Sequence, residues 1–438
     1  MNVAAILRAV MLIALAVLPA VSPAETLLEL YDQTLATNPA LRGRVFGIEE
    51  AKAQKDLARS RLLPQLAADG TYDWNKYEED GFEADRYSGT RGVLSASQAL
   101  VDLPSYHRFR GAQVSVEQSE HARAAVEMEV VIELIDRYLV VLQAEDEIVH
   151  LQAEKEAVVS QLERMRFMRE RQLAKITDLY EVEAYYQGLL TRVIEAKNAR
   201  AVALAMLRET TGVAVATVVP LVRPQFTAVP GDEEQWVRDA LASNPNLLGL
   251  ERANEAARRL VDSTRTEHLP RLSVSASQVY ADQGYDNREV NPYDVDTVGI
   301  NVNVPIFEGG RVNAAIRDAR AKHQIALEQY EAARREIERN ARSAYLSAVA
   351  SYARTRSTGE ETRALEKVVE AQDKSYELRV TTILDVLVAR RRLTKARSDE
   401  SKARYDYVRD LSSLQAQVGA LTRQHIEQID AWMAAPAR

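Results

Sequence analysis

Between Arg311 and Val418 the sequence holds no proline and a single glycine, Gly359. Ala, Glu, Arg and Leu fill the run. Such residues lose little side-chain freedom in a helix, so the stretch reads as helix with few breaks. Apolar groups such as Leu365, Val368 and Val369 recur at helical spacing, marking one buried stripe. A helix over residues 311–380 is roughly 105 Å long at about 1.5 Å per residue. A typical globular helix has about 11–12 residues. The run is also far too charged to lie in hydrocarbon, so the chain projects a long helical body through water.

Repetition fixes the organisation around that body. Leu35-Ala36-Thr37-Asn38-Pro39-Ala40-Leu41 recurs as Leu241-Ala242-Ser243-Asn244-Pro245-Asn246-Leu247, an offset of 206 residues. Leu63-Pro64-Gln65-Leu66 answers Leu269-Pro270-Arg271-Leu272, and Trp74 answers Tyr280, at the same offset. Tyr138-Leu139 then matches Tyr345-Leu346, and Asp178 matches Asp385, at 207. The first repeat is assigned to 25–212 and the second to 232–424, with a tail over 425–438. The linker, 213–231, carries Pro220, Pro224 and Pro230, which forbid a helix.

Each half reads in the same order. A first helix runs from about Glu25 to Leu62, and from Asp232 to His268. Proline follows each and pushes the preceding residue out of the helical region. Two strands come next, at about 66–76 and 92–101, and again at about 272–280 and 298–306. The second pair shows the period of two plainly: Leu272, Val274 and Ala276 alternate with serines. Polar loops separate the strands, Tyr77–Ser88 and Ala281–Asp296. A long helix then begins near Pro104 and near Arg311, breaks before Asp178 and Asp385, and returns to about Thr211 and Leu421.

Composition removes several functions. Net charge is −8 and pI about 5.6, which argues against nucleic acid as a partner. There is no cysteine, which excludes disulfides, thiolate metal sites, a thiol nucleophile and a lipidated N-terminal Cys. His107, His121, His150, His268, His323 and His425 are scattered, with no pair at metal-ligand spacing. No Gly-rich phosphate loop, nucleophile elbow or His-Glu metal motif occurs, so neither an enzyme nor a cofactor is expected. Residues 1–24 read as a secretory signal: Arg8, an apolar core from Ala9 to Leu18, and Ser22-Pro23-Ala24 as the cleavage site. An uncleaved anchor helix is the alternative, but the core covers only about half of a bilayer.

The strands have the length a tilted strand needs to cross a bilayer, and one face alternates apolar against small or polar. Trp74, Tyr77, Tyr280 and Tyr293, near the strand–loop junctions, suit an interfacial aromatic belt. An ordinary half-buried hairpin is the competing account. In lipid a sheet must close on itself. Barrels begin at about eight strands, whose bore is already filled by side chains. Four strands per chain therefore predict a homotrimer: a twelve-stranded β-barrel with the helices continuing the tube as an α-helical barrel. The fold class is mostly α with a β-barrel segment, built from two structural repeats of long helical hairpins plus two-stranded hairpins.

Asn38-Pro39, Asn244-Pro245, Val304-Pro305-Ile306-Phe307-Glu308-Gly309-Gly310 and Tyr376 followed by Ile383-Leu384-Asp385-Val386-Leu387 resemble TolC-type outer-membrane channels. The similarity covers nearly the whole chain after the signal, in order and in both halves. It implies an outer-membrane β-barrel on a helical tunnel across the periplasm. Such a duct is the exit of a tripartite efflux pump or type I secretion system, with a periplasmic adaptor and an inner-membrane ABC or proton-driven transporter as partners. It also implies that Asp178, Tyr376 and Asp385 match gate and entrance residues. Three copies of Asp385 would form an anionic ring at a narrow mouth. The alternative for both Asp residues is an N-cap of the returning helix, and for Asp178 the two stand level. Where the family often has Gly six residues before each Asp, this chain has Gln172 and Arg379. Thr381 stands at a basic gate position, and Val388 replaces a second acidic residue. Arg379 is the candidate to supply the charge that Thr381 lacks. A periplasmic adaptor is the main rival, but adaptors carry one hairpin and an inner-membrane anchor, and this chain has two hairpins.

Overall fold

A computed structural model describes residues 24–78, 80–81, 83, 85–222, 226–282 and 291–433. The expected signal segment, all but its final Ala24, lies outside the described residues, as do Pro224 and half of the second polar loop.

The element order repeats. The first half holds α1 (Leu27–Thr37), α2 (Pro39–Ser60), β1 (Gln65–Tyr77), β2 (Asp85–Val101), α3 (Leu103–Glu170) and α4 (Ile176–Thr211). The second holds α5 (Glu233–Ser243), α6 (Pro245–Arg265), a 3-10 turn at Thr266–His268, β3 (Arg271–Ala281), β4 (Tyr293–Asn303), α7 (Arg311–Glu377) and α8 (Ile383–Gln417), followed by α9 (Arg423–Ala431). α3 has 68 residues and α7 has 67, and neither contains an interior proline.

Contacts divide the chain into two units. One comprises residues 1–42, 126–244 and 338–438; the other comprises 43–125 and 245–337. In the first unit the core gathers Leu30 and Tyr31 of α1, Leu134, Tyr138 and Leu142 of α3, Leu207 of α4, Val408 of α8 and Ile426 of α9. Tyr138 is fully buried, and its hydroxyl donates to the Val219 carbonyl at 2.9 Å. Tyr407 does the same for Thr227 at 2.6 Å. Two buried phenols thus pin the proline-rich linker to the long helices, giving each hydroxyl the partner that burial demands.

The single helices expected over 25–62 and 232–268 are each two helices. Asn38 (φ −61°, ψ 123°) and Asn244 (φ −62°, ψ 119°) are extended, because the proline that follows excludes the helical region. Asn38 uses the break. Its Oδ1 accepts from the Ala40 amide at 2.9 Å, while its Nδ2 donates to the Thr210 carbonyl at 3.2 Å. Asn244 Nδ2 donates to the Gln417 carbonyl at 2.9 Å. Asn38 therefore starts a helix and closes the C-terminal end of the returning helix, and Asn244 makes the same closure in the second half. The tail expected from residue 425 is largely α9, a short helix that buries His425, Ile426 and Ile429.

In the second unit β1 to β4 form one antiparallel sheet in sequential order. β2 begins at Asp85, well before the expected 92, because β1 runs to Tyr77 and Tyr77 pairs with Asp85. β4 spans 293–303 rather than 298–306. Asn303 faces Arg271, the first residue after Pro270, and proline can neither extend the ladder there nor at Pro305. Pairing is decided by the partner strand, whereas hydropathy sees only one strand. Glu267, nearly buried, receives Arg108 from α3 at 2.9 Å and Arg311 from α7 at 2.9 Å, so one carboxylate gathers the starts of both long helices.

Candidate functional site

The sheet and the helix turns are the two places where local geometry has chemical consequence. In the sheet, residues paired in register share a face and neighbours alternate. Leu66, Ala68, Leu94, Ala96, Leu272, Val274, Ala276, Val298, Ile300 and Val302 therefore lie on one face. Asp69, Thr71, Asp73, Ser95, Ser273, Ser275, Ser277, Asn301 and Asn303 lie on the other. The apolar face is bare: Leu66 is 78% exposed, Val298 79% and Ile300 69%. No helix or strand among the described residues covers it.

The aromatic candidates divide between the faces. Trp74 and Tyr280 share the apolar face, by way of the Trp74–Ser88, Gly92–Tyr280 and Tyr280–Asp294 pairs. Tyr77 and Tyr293 have the opposite parity and lie on the polar face. Tyr72, absent from the expected set, packs edge-on against Trp74 at 4.8 Å. Its place two residues before Trp74 was the available signal.

The other place is the pair of helix turns in the first unit. α3 and α7 end alike. The Leu173 amide donates to Met168 O at 2.8 Å and that of Gln172 to Arg169 O at 2.9 Å. Val380 donates to Ser375 O at 2.8 Å and Arg379 to Tyr376 O at 3.0 Å. This double closure requires a left-handed residue, normally Gly. Gln172 (φ 59°) and Arg379 (φ 60°) occupy it. The glycine positions of the resemblance thus keep glycine's backbone without glycine.

The returning helices start differently. α8 has Thr382 as N-cap, and Asp385 completes a reciprocal capping box. Asp385 Oδ2 accepts from the Thr382 amide at 3.0 Å, the Thr382 hydroxyl at 2.6 Å and the Thr381 hydroxyl at 2.9 Å. The Thr382 side chain, then its amide, then Thr381 hold the Asp385 carboxyl below the usual carboxylate range. α4 begins at Lys175, which provides no side-chain cap, and Asp178 sits in its first turn. Capping by Asp178 itself is therefore corrected, and Asp385 is a partner of the cap rather than the cap. The signal was three residues upstream, where Thr382 matches Lys175 at the repeat offset.

Tyr376 is half-buried between the turns. Burial first, then the Asp178 charge, raises its pKa, with Arg164 opposing. Its hydroxyl donates to Met165 Sδ at 3.2 Å, and beside it Arg164 reaches Glu377 at 3.4 Å. Among the described residues no cluster of His, Asp and Glu could hold a metal, and no helix is long and apolar enough to cross a membrane.

These two sites, a bare amphipathic sheet and paired helix turns, belong to the architecture of outer-membrane channels. The chain belongs to the outer membrane efflux protein family, whose profile matches residues 30–213 and 236–420. It is 28% identical over 413 residues to the outer membrane protein TolC of Vibrio cholerae, covering 93% of this chain and 94% of that protein. It is also 28% identical over 423 residues to the alkaline protease secretion protein AprF of Pseudomonas aeruginosa, covering 92% and 86%. The Campylobacter jejuni CmeC outer membrane channel superposes with a TM-score of 0.81 at 16% identity, over 93% of this chain and 90% of that one. The open-state Neisseria gonorrhoeae MtrE channel gives 0.77 at 20%, over 91% and 90%. Those likenesses carry the fold. The protein resides in the cell outer membrane with its helical body in the periplasm, and its family and structural neighbours are channels rather than enzymes.

Proposed function

We propose that three copies of the chain close into a twelve-stranded barrel in the outer membrane, with the helices of the two repeats (25–212 and 232–424, joined by 213–231) forming the tunnel wall beneath. The assembly serves as the exit duct of a tripartite efflux pump or type I secretion system, taking cargo from an inner-membrane transporter through a periplasmic adaptor.

One observation carries the reading. The sheet presents an uncovered apolar face, and among the described residues β1 and β4 each pair with one strand only. Such a sheet is stable in lipid only if its ladder closes. Four strands are too few to close, and three sets give a bore wider than side chains fill. Relatives named for TolC and for protease secretion support the duct. In this reading Asp385, with Asp178, Tyr376 and Arg379, forms the periplasmic mouth, and Trp74 and Tyr280 belong to the aromatic belt.

Seminative electrophoresis of the detergent-extracted chain tests the assembly. A heat-dissociable trimer in the outer-membrane fraction, giving discrete conductance steps in planar bilayers, is expected. A monomer, or a trimer that does not conduct, overturns the reading.

A further inference from the structure

A cleft of about 450 Å³ opens in the first unit where α3, α4 and α8 meet. Glu147 of α3, Arg192 of α4, and Val388, Arg391, Arg392, Thr394, Lys395 and Ser398 of α8 line it. Four cations thus face one carboxylate, in a chain whose net charge is −8. Arg391, Arg392 and Lys395 make no hydrogen bond or ion pair among the described residues, so their charge is not spent within the chain. Arg192 is already oriented. Glu154 holds it at 3.6 Å, and its guanidinium lies 5.8 Å from the centre of the Tyr185 ring.

We propose that this cleft is a binding site for a small, multiply charged oxyanion, a polycarboxylate or polyphosphate. Three lines of chemistry converge on that class. Arg391 and Lys395 stand at i, i+4 and Arg392 and Lys395 at i, i+3 on α8, so each arginine neighbours the lysine and repels it until a counter-charge enters. Guanidinium forks match carboxylate and phosphate oxygens two bonds at a time, which a halide does not. The hydroxyls of Thr394 and Ser398 add neutral donors in the same wall. Net of Glu147 and of the Glu154 that holds Arg192, two positive charges remain, so a single negative charge leaves one of them uncompensated and a multiply charged anion is favoured. The strip from Val388 to Ser398 is about 15 Å long, enough for an anion whose charges are spaced along a chain. Its first cation, Arg391, stands six residues after Asp385, so along α8 an acidic position gives way to a basic face within about two turns.

Isothermal titration of the full chain in detergent with citrate, at fixed ionic strength, tests the site, with acetate as the monovalent control. Citrate is expected to bind one site per chain, and Arg391→Gln/Arg392→Gln/Lys395→Gln to weaken it at least tenfold. Arg391→Lys should lose less affinity than Arg391→Gln but not match the parent, because the charge remains while the two-bond fork is lost. Circular dichroism confirms that the triple variant folds. If it does not fold, Lys395→Gln alone, at an exposed position, should weaken citrate at least threefold. Citrate heats unchanged by these substitutions, or acetate binding as tightly as citrate, would overturn the proposal.

Discussion

Arg379→Gly is expected to make its turn more stable, against the usual sense of glycine substitution. The left-handed backbone at Arg379 costs an L-residue about 1–2 kcal/mol. Glycine removes that cost but restores about 0.4–1 kcal/mol of freedom to the unfolded chain. The net gain is about 0.5–1 kcal/mol, or a two- to fivefold smaller opening constant. Nothing offsets it, because the Arg379 side chain has no hydrogen bond or ion pair among the described residues. Hydrogen exchange at the Val380 amide, bonded to Ser375 O at 2.8 Å, reads the change where it occurs. The whole assembly need not unfold, which matters because a multi-unit membrane protein has no single unfolding free energy. Gln172→Gly should give a similar gain at Leu173. Faster exchange at Val380 in Arg379→Gly would mean that the arginine side chain stabilises the turn, and would refute the reasoning. Strain of this kind tends to persist where a turn is used rather than merely folded.

Asp385→Asn removes the carboxylate charge but keeps an oxygen for Thr382, so the α8 start should stay protected while cation preference in bilayers falls; unaltered selectivity would remove Asp385 from the mouth. Asn244→Ala loses the bond to Gln417 O and should cost about 1 kcal/mol, seen as faster hydrogen exchange in the last turn of α8; unchanged exchange there would deny the clamp. His425 is buried beside Ser412, and burial lowers its pKa to about 4 from 6.5. Between those values the unfolded chain binds the extra proton, so stability falls as pH falls from 6.5 and levels off near 4, a loss of roughly 3 kcal/mol. His425→Gln should flatten that slope, and a slope equal to the parent's would exclude His425 as its source.

Much of the architecture was legible because its causes are local and repeated. Proline-free runs announced the long helices, and the recurring Asn-Pro pairs announced two equivalent halves. The break at Asn38 was legible as well, since proline acts on the residue before it, yet the stretch from Glu25 to Leu62 reads as one helix. Strand ends were not legible. Asp294 and Asp296 interrupt the hydropathy pattern, and only their pairing with Tyr280 and Gln278 makes them strand. At the turns, equal spacing in the two halves offered an N-cap for both Asp178 and Asp385, level with the gate for Asp178 and second to the anionic ring for Asp385. The outcome hung on one upstream residue, threonine in one half and lysine in the other. The basic cleft is only half visible in sequence: Arg391, Arg392 and Lys395 share one stretch, but Arg192 joins them only by the packing of separate helices.

The matched left-handed closures at Gln172 and Arg379 give the two halves one bend with different side chains. Both repeats place an aspartate in the first turn that follows, but only the second has a threonine three residues before it to lock the next helix. The shape of a corner is thus separable from its grip, and two corners of one chain can hold their helices with unequal strength.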